Sequence, residues 1–188
     1  AYEVEVKVRT AHEPVRERLD ELDADPLGTV RQVDTYYDAP DREFAETDEA
    51  LRIRRETVES GDGDQTAALG RETAKLTYKG PLIEAESKTR EEYETTVGDG
   101  EELAGILDGL GYDPAATVEK ERERFQVDGY TVTLDSVTDL GEFVEVERET
   151  DEASVERVRE GAYDLLDRLG LDPDEQIRTS YLGLLLDD

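Results

Sequence analysis

Cysteine is absent from this chain, which excludes disulfides, thiol nucleophiles and cysteine-based zinc or iron–sulfur sites. Histidine occurs once, at His12. A histidine metal cluster is therefore impossible, and a Ser-His-Asp triad would hang on one residue beside a predicted helix start. The plainer reading of His12 is an exposed or capping side chain. No apolar run approaches the roughly 18 residues of a membrane span, and the first residues do not read as a signal sequence. These absences lead us to expect a cytoplasmic protein. Neither Gly-x-x-x-x-Gly-Lys-Ser/Thr nor Gly-x-Gly-x-x-Gly occurs, so a phosphate ligand would have to be held by side chains instead of a helix N-terminus. Lysine is scarce: Lys7, Lys75, Lys79, Lys88 and Lys120 stand against 17 arginines. A chain so sparing of lysine is expected to keep some of those few for chemistry.

What is abundant is acid. Asp and Glu number 51 against 22 Lys and Arg, a formal charge of −29. Nucleic acid and anionic membrane would both repel such a body, so neither is expected as a partner. Disorder is the other consequence of strong charge, but the apolar residues here are periodic throughout. We expect a folded domain spanning 1–188 with a carboxylate-covered surface, as in salt-adapted proteins.

The run Glu3-Val4-Glu5-Val6-Lys7-Val8-Arg9 alternates ionised and valine residues, the period of a strand with one charged and one apolar face. Residues 12–24 carry Pro14 in a first turn and Val15, Leu19 and Leu22 at helical spacing. Strands are predicted at 30–38, 50–57, 75–79, 88–97, 116–127, 130–136 and 142–149, with Gly80-Pro81 stopping one and Asp128-Gly129 turning a hairpin. The stretch 57–73, with Ser60-Gly61-Asp62-Gly63-Asp64, reads as a long loop. Helices are predicted from the Asp99/Glu102 capping box to Gly111 and over 152–169. The tail from Ile177 to Leu186 is ambiguous between helix and strand. Strands in runs with helices between them favour an antiparallel α+β architecture over a doubly wound sheet.

Nearly every strand carries mixed charge on its polar face: Glu3, Glu5, Lys7; Arg52, Arg54; Lys75, Lys79; Arg90, Glu92, Glu94; Lys120, Arg122, Arg124; Asp135; Glu145, Glu147. Each could be a solvated outer face. Taken together, with three amphipathic helices available to cover the Val and Leu faces, they would point into a closed barrel. Buried charges of both signs are costly unless a ligand satisfies them. A polyphosphate with a divalent cation does so, since Arg and Lys grip phosphate oxygens while carboxylates hold Mg2+ or Mn2+.

Six strings then stand in order after Glu3-x-Glu5-x-Lys7: Asp34-Thr35-Tyr36-Tyr37-Asp38, Thr47-Asp48-Glu49-Ala50-Leu51-Arg52-Ile53-Arg54, Leu76-Thr77-Tyr78-Lys79-Gly80-Pro81, Val118-Glu119-Lys120-Glu121-Arg122, Leu134-Asp135 and Leu140-Gly141-Glu142-Phe143-Val144-Glu145-Val146-Glu147. Over essentially the whole chain they resemble the CYTH superfamily, the triphosphate tunnel metalloenzymes, which includes class IV adenylyl cyclases of the CyaB type and thiamine triphosphatases. The resemblance implies a closed eight-stranded antiparallel β-barrel with helices packed outside. It implies metal binding, Mg2+ or Mn2+, by Glu3, Glu5, Glu145 and Glu147 with Asp135 close by. Lys7, Arg52, Arg54, Lys79, Lys120 and Arg122 would clamp a triphosphate, with Arg90 as a further clamp. Lys7, Arg54, Lys79, Lys120 and Asp135 are the residues expected to carry catalysis.

Tyr36-Tyr37-Asp38, the Leu-Thr-Tyr-Lys-Gly-Pro string, Thr179-Ser180-Tyr181 and the lack of any Lys after Lys120 look most like the cyclase branch. The expected reaction is ATP to cyclic AMP and pyrophosphate. The alternatives are hydrolysis of thiamine triphosphate or inorganic tripolyphosphate, and a non-catalytic polyphosphate-binding module. Ile177, Leu182, Leu184, Leu185 and Leu186 either cover the barrel's outer wall or form a homodimer contact.

Overall fold

A computed structural model describes residues 1–61, 69–83 and 87–186. The valine alternation at the start becomes β1 (Tyr2–Arg9), whose Val4, Val6 and Val8 are almost fully buried on its outer face. The remaining strands are β2 (Asp25–Asp38), β3 (Ala50–Ser60), β4 (Glu72–Leu82), β5 (Lys88–Val97), β6 (Asp113–Val127), β7 (Tyr130–Val137) and β8 (Gly141–Thr150). All pair antiparallel in a closed barrel of order β1-β5-β4-β3-β2-β6-β7-β8. Closure removes the sheet edges. It also gives the barrel two mouths. β1, β2, β4 and β7 finish at one, called here the near mouth, and start at the far one.

The helices α1 (His12–Glu21), α2 (Phe44–Thr47), α3 (Gly100–Gly109), α4 (Val155–Arg168) and α5 (Tyr181–Leu186) are shorter than the predicted runs or were not foreseen. Val155, Val158, Ala162, Leu165 and Leu166 of α4 and Val15 and Leu19 of α1 pack on the valines of β1 and β8. α3 lays Leu107, with Leu103 and Ala104 beside it, against Tyr37, Ile53 and Leu76. Its start is fixed by Asp99, whose carboxylate accepts from the N–H groups of Glu101 and Glu102. α4 approaches β7 closely because residue 161 is glycine. A Cβ there would collide with the Tyr130 ring, whose hydroxyl donates to the Val158 carbonyl at 2.8 Å.

Several boundaries differ from the sequence reading. β2 starts five residues early, at Asp25-Pro26, and takes Gly28 through a bulge at φ 97° that only glycine adopts easily. Gly80-Pro81 does not stop β4; the pair occupies a register shift between Lys79 and Leu82, where proline needs no ladder partner. β3 and β4 extend into the expected 57–73 loop as far as Ser60 and from Glu72, while 62–68 lie outside the described residues. The tail ends in α5, and Ile177, Leu182, Leu184 and Leu185 pack on Val118, Val137 and Phe143. Val118, Val137 and Phe143 share the inward faces of Lys120, Asp135 and Glu145, so this segment packs across the near mouth instead of the expected outer wall and lends the dimer expectation no support; Leu186 stays exposed. Among the described residues no helix is long and apolar enough to cross a membrane.

Candidate active site

The polar face of each strand points inward, because burying one face of a period-two strand under helices commits the other to the lumen. That lumen is a cavity of about 720 Å3. Its acid side comes from β1 and β8, where register sets Glu5 opposite Glu147 and Lys7 opposite Glu145. Carboxylate oxygens of Glu3, Glu5 and Glu147 lie within 4.8 Å of one another. Burial, together with the charges of Glu3, Glu145 and Glu5, pushes the Glu147 carboxyl up to about 8. Crowded carboxylates offering only oxygen fit a hard divalent ion such as Mg2+ or Mn2+, which would relieve the repulsion that now favours a proton.

Two lysines currently share that relief. Lys79 Nζ lies 2.8 Å from Glu3 Oε1 and 3.5 Å from Glu92 Oε2, and Lys88 Nζ lies 3.1 Å from Glu5 Oε2. Register puts Lys79 directly opposite Glu92 and Lys88 opposite Glu5. Burial raises the Glu3 carboxyl, but Lys79 outweighs it and holds the group below the usual range. Glu92 itself is pushed up to about 7, by burial first and by Glu3, against the pull of Lys79.

The basic side belongs to β3 and β6, backed by Asp34 of β2. Arg54 donates to both oxygens of Asp34, at 2.7 and 2.9 Å, and Lys120 Nζ donates to Asp34 Oδ2 at 2.8 Å. Arg122 grips Asp135 at 2.7 Å through both Nε and Nη2, and its Nη2 also reaches Glu145 Oε2 at 3.0 Å. Each Arg–Asp pair is a directly opposed cross-strand pair. Lys7 donates to the Thr179 carbonyl at 2.8 Å and sits 4.0 Å from the centre of the Tyr181 ring. Burial and nearby Lys88 bring the Lys7 ammonium down to about 8, against Glu145 and Glu5.

Of the expected site residues, Glu3, Glu5, Glu145, Glu147, Lys7, Arg52, Arg54, Lys79, Arg90, Lys120 and Arg122 all line the cavity. Asp135 does not: it is fully buried behind the wall, its oxygens taken by Arg122 and by the Tyr181 hydroxyl at 2.6 Å. The close trio of carboxylates leaves out both Asp135 and Glu145. Arg90 reaches the cavity, but its guanidinium is engaged by Asp48 and by the Gly80 carbonyl at 2.7 Å, fastening the turn after α2 to β4. His12 is neither exposed nor a cap. It is buried, with Nε2 3.0 Å from the carbonyls of both Asp135 and Phe143 and Nδ1 3.1 Å from Glu142.

The sequence reading passed over Asp34, Lys88 and Tyr181 as site residues. Asp34 could have been found from the alternation of Gln32, Asp34 and Tyr36 on one face of β2. The two mouths also differ. Tyr36, Phe44, Leu51, Leu82, Ala116 and Leu182 line the near one beside Asp38, Asp48, Glu49 and Arg90, whereas the far one, with Glu56, Lys75, Glu94, Arg124, Thr131 and Arg148, is polar throughout.

Comparison with known proteins bears on this architecture. The protein of Methanocaldococcus jannaschii named "Putative adenylate cyclase MJ0240" is 36% identical over 184 residues, 97% of each chain. The solved structure of the Pyrococcus horikoshii protein PH1819 superimposes with a TM-score of 0.86 at 36% identity, covering 98% of both chains. The Hippeastrum protein HpAC1, reported to have a dominant triphosphatase activity, shares the fold with a TM-score of 0.66 at 19% identity, over 99% of this chain and 95% of its own. The CYTH domain model matches residues 1–181. A closed barrel with Glu-x-Glu strands facing a row of lumenal cations, matched almost end to end by that model, makes this chain a member of the CYTH family.

Proposed function

We propose that the chain, acting as one unit over 1–188, is a metal-dependent enzyme that processes a nucleoside triphosphate inside the barrel, as a class IV adenylyl cyclase converting ATP to cyclic AMP and pyrophosphate. The observation that carries this reading is the pairing of an oxygen-only trio, Glu3, Glu5 and Glu147, with facing cations in one lumen. Those charges now neutralise one another. A triphosphate with its divalent ion would exchange the partners, phosphate oxygens taking Lys79 and Lys88 while the carboxylates take the ion. A bound Mg2+ or Mn2+ would supply charge neutralisation at phosphate oxygens.

The remaining chemistry falls to the chain's own side chains. Arg52, Arg54, Lys120 and Arg122 would orient the phosphates for in-line displacement and stabilise charge as it builds. In the cyclase reaction the ribose 3′-oxygen bonds to the α-phosphorus, the bond from that phosphorus to the β-phosphate bridge breaks, and pyrophosphate leaves. The hydroxyl proton passes to a carboxylate of the acid side. The apolar side chains of the near mouth, Tyr36, Phe44, Leu51 and Leu182 among them, suit an organic group attached to the phosphates.

The second reading is triphosphate hydrolysis, water attacking the terminal phosphorus in the same site; the fold shared with HpAC1 is the observation in its favour. Product analysis decides between them, using ATP, GTP, thiamine triphosphate and tripolyphosphate with Mg2+ and Mn2+ separately at high salt. Cyclic nucleotide with pyrophosphate supports the cyclase, and inorganic phosphate supports the hydrolase. Unchanged substrates after long incubation would leave a binding module and end the enzyme reading.

A further inference from the structure

Asp34, like Asp135, is a fully enclosed charge that touches no cavity surface: it is 0% exposed and absent from the cavity lining, yet it binds two lumenal cations from two different strands. Arg54 stands directly opposite it on β3, and Lys120 reaches it diagonally from β6. Three strands are thus joined through one carboxylate. Its three bonds, from 2.7 to 2.9 Å, use both oxygens. A carboxylate in that position cannot meet a substrate; it can only decide where its two partners point and what charge they carry.

We propose that Asp34 is a positioning residue, which holds Arg54 and Lys120 against the cavity from behind and keeps Lys120 protonated for a phosphate oxygen at neutral pH. The inference rests on the triphosphate reading given above. Lys120 needs such help because of what surrounds it. Arg54 of β3 and Arg122 of its own strand repel its charge, and the Tyr181 ring of α5 lies 5.7 Å away; among the largest influences Asp34 of β2 and Asp135 of β7 favour its charge. Burial and Arg54 bring its ammonium down to about 7 even with Asp34 in place. Asp135 is already committed to Arg122 and Tyr181, so Asp34 is the anion that Lys120 itself contacts. Asp34 stays ionised throughout: burial opposes its charge, but Lys120 and Arg54 outweigh that and hold its carboxyl well below the usual range.

The test is the ratio of tripolyphosphate dissociation constants, Asp34→Asn over wild type, measured calorimetrically on the full chain from about pH 5.5 to 8.5. Taking a ratio cancels the titration of tripolyphosphate itself. The amide keeps the size and removes the charge, so Lys120 loses its proton earlier in the variant. Both proteins carry the charged lysine at the acid end, and the ratio there is one or below, since an anion near the phosphates has been removed. The ratio should then climb by about tenfold or more toward the alkaline end, tenfold corresponding to one pKa unit. Asp34→Glu, which retains the charge, should flatten the climb, and so should placing Lys120→Arg in both proteins, because arginine does not titrate there. Should the amide variant fail to fold, Asp34→Thr, close in size and at ease in a strand, takes its place.

A ratio that is constant with pH, whatever its value, overturns the inference, and so does a climb that persists with Lys120→Arg. Wild type that binds neither tripolyphosphate nor ATP with Mg2+ at any pH removes the triphosphate reading, and this inference with it. Binding with a flat ratio removes the inference alone.

Discussion

β1 carries two chemistries on one backbone. Val4, Val6 and Val8 on its outer face are as buried as Lys7 on its inner face, each at about 1% exposure or less. The valines meet α4 and α1, and each contributes roughly 1.5 kcal/mol or more by leaving water. The inner residues gain nothing comparable. Lys7 incurs desolvation that the Thr179 carbonyl, Glu145 and Glu5 offset only in part, and Glu5 stays ionised only because Lys88, Lys79 and Lys7 outweigh its burial. The outer face holds the fold together, while the inner face holds paired charge whose partners a ligand can exchange.

The largest effect should come from the inner face. Glu5→Ala or Glu147→Ala should lower metal-dependent turnover by roughly a hundredfold or more, with the melting midpoint little changed, because a ligand is lost from an open cavity. Turnover assays beside thermal melts check this, and undiminished turnover in both variants would sink the assignment. Next comes the outer face. Leu166→Ala, in the centre of the α4 contact, should cost about 2–5 kcal/mol of stability in denaturant titration while the folded fraction keeps its turnover per molecule. A variant as stable as wild type would contradict the division.

The smallest effect is a pH dependence of the metal-free protein. The folded value of Glu147, about 8, lies above that of an unfolded glutamate. Between the two the folded state binds the extra proton, so this contribution is intact below the ordinary carboxylate range and lost as pH rises through about 8. Glu92, pushed up to about 7, acts in the same sense. Lys120 and Lys7, brought down to about 7 and about 8, act oppositely, but only above those values. Stability in chelator should therefore fall from about pH 5 to 6.5, and Glu147→Gln should flatten the fall. An equal slope in the variant would show that Glu147 does not hold that proton.

The division between faces was legible in the sequence wherever period two was unbroken, as in β1, and so was the inward row of charges. What was hidden depended on strand order. Asp34 and Lys120 are 86 positions apart and meet only because β2 lies beside β6, a neighbour relation that no local pattern encodes. For the same reason the partners of Asp135, expected near the metal on resemblance alone, were not visible: register sets it opposite Arg122, and the Tyr181 hydroxyl reaches it from the tail. Gly80-Pro81 misled because a bulge and a turn use the same residues. His12 was misjudged because its partners, Asp135, Glu142 and Phe143, come from strands more than a hundred residues away.

The central claim is that the lumen is charged to suit a metal ion and a triphosphate together. It is tested most directly by the melting midpoint of the wild-type chain with Mg2+ alone, with a methylene-bridged ATP analogue alone, and with both. Each alone leaves charges of one sign without partners, so the account predicts a rise with both that exceeds the sum of the separate rises. Separate effects that merely add, or no rise at all, would contradict it.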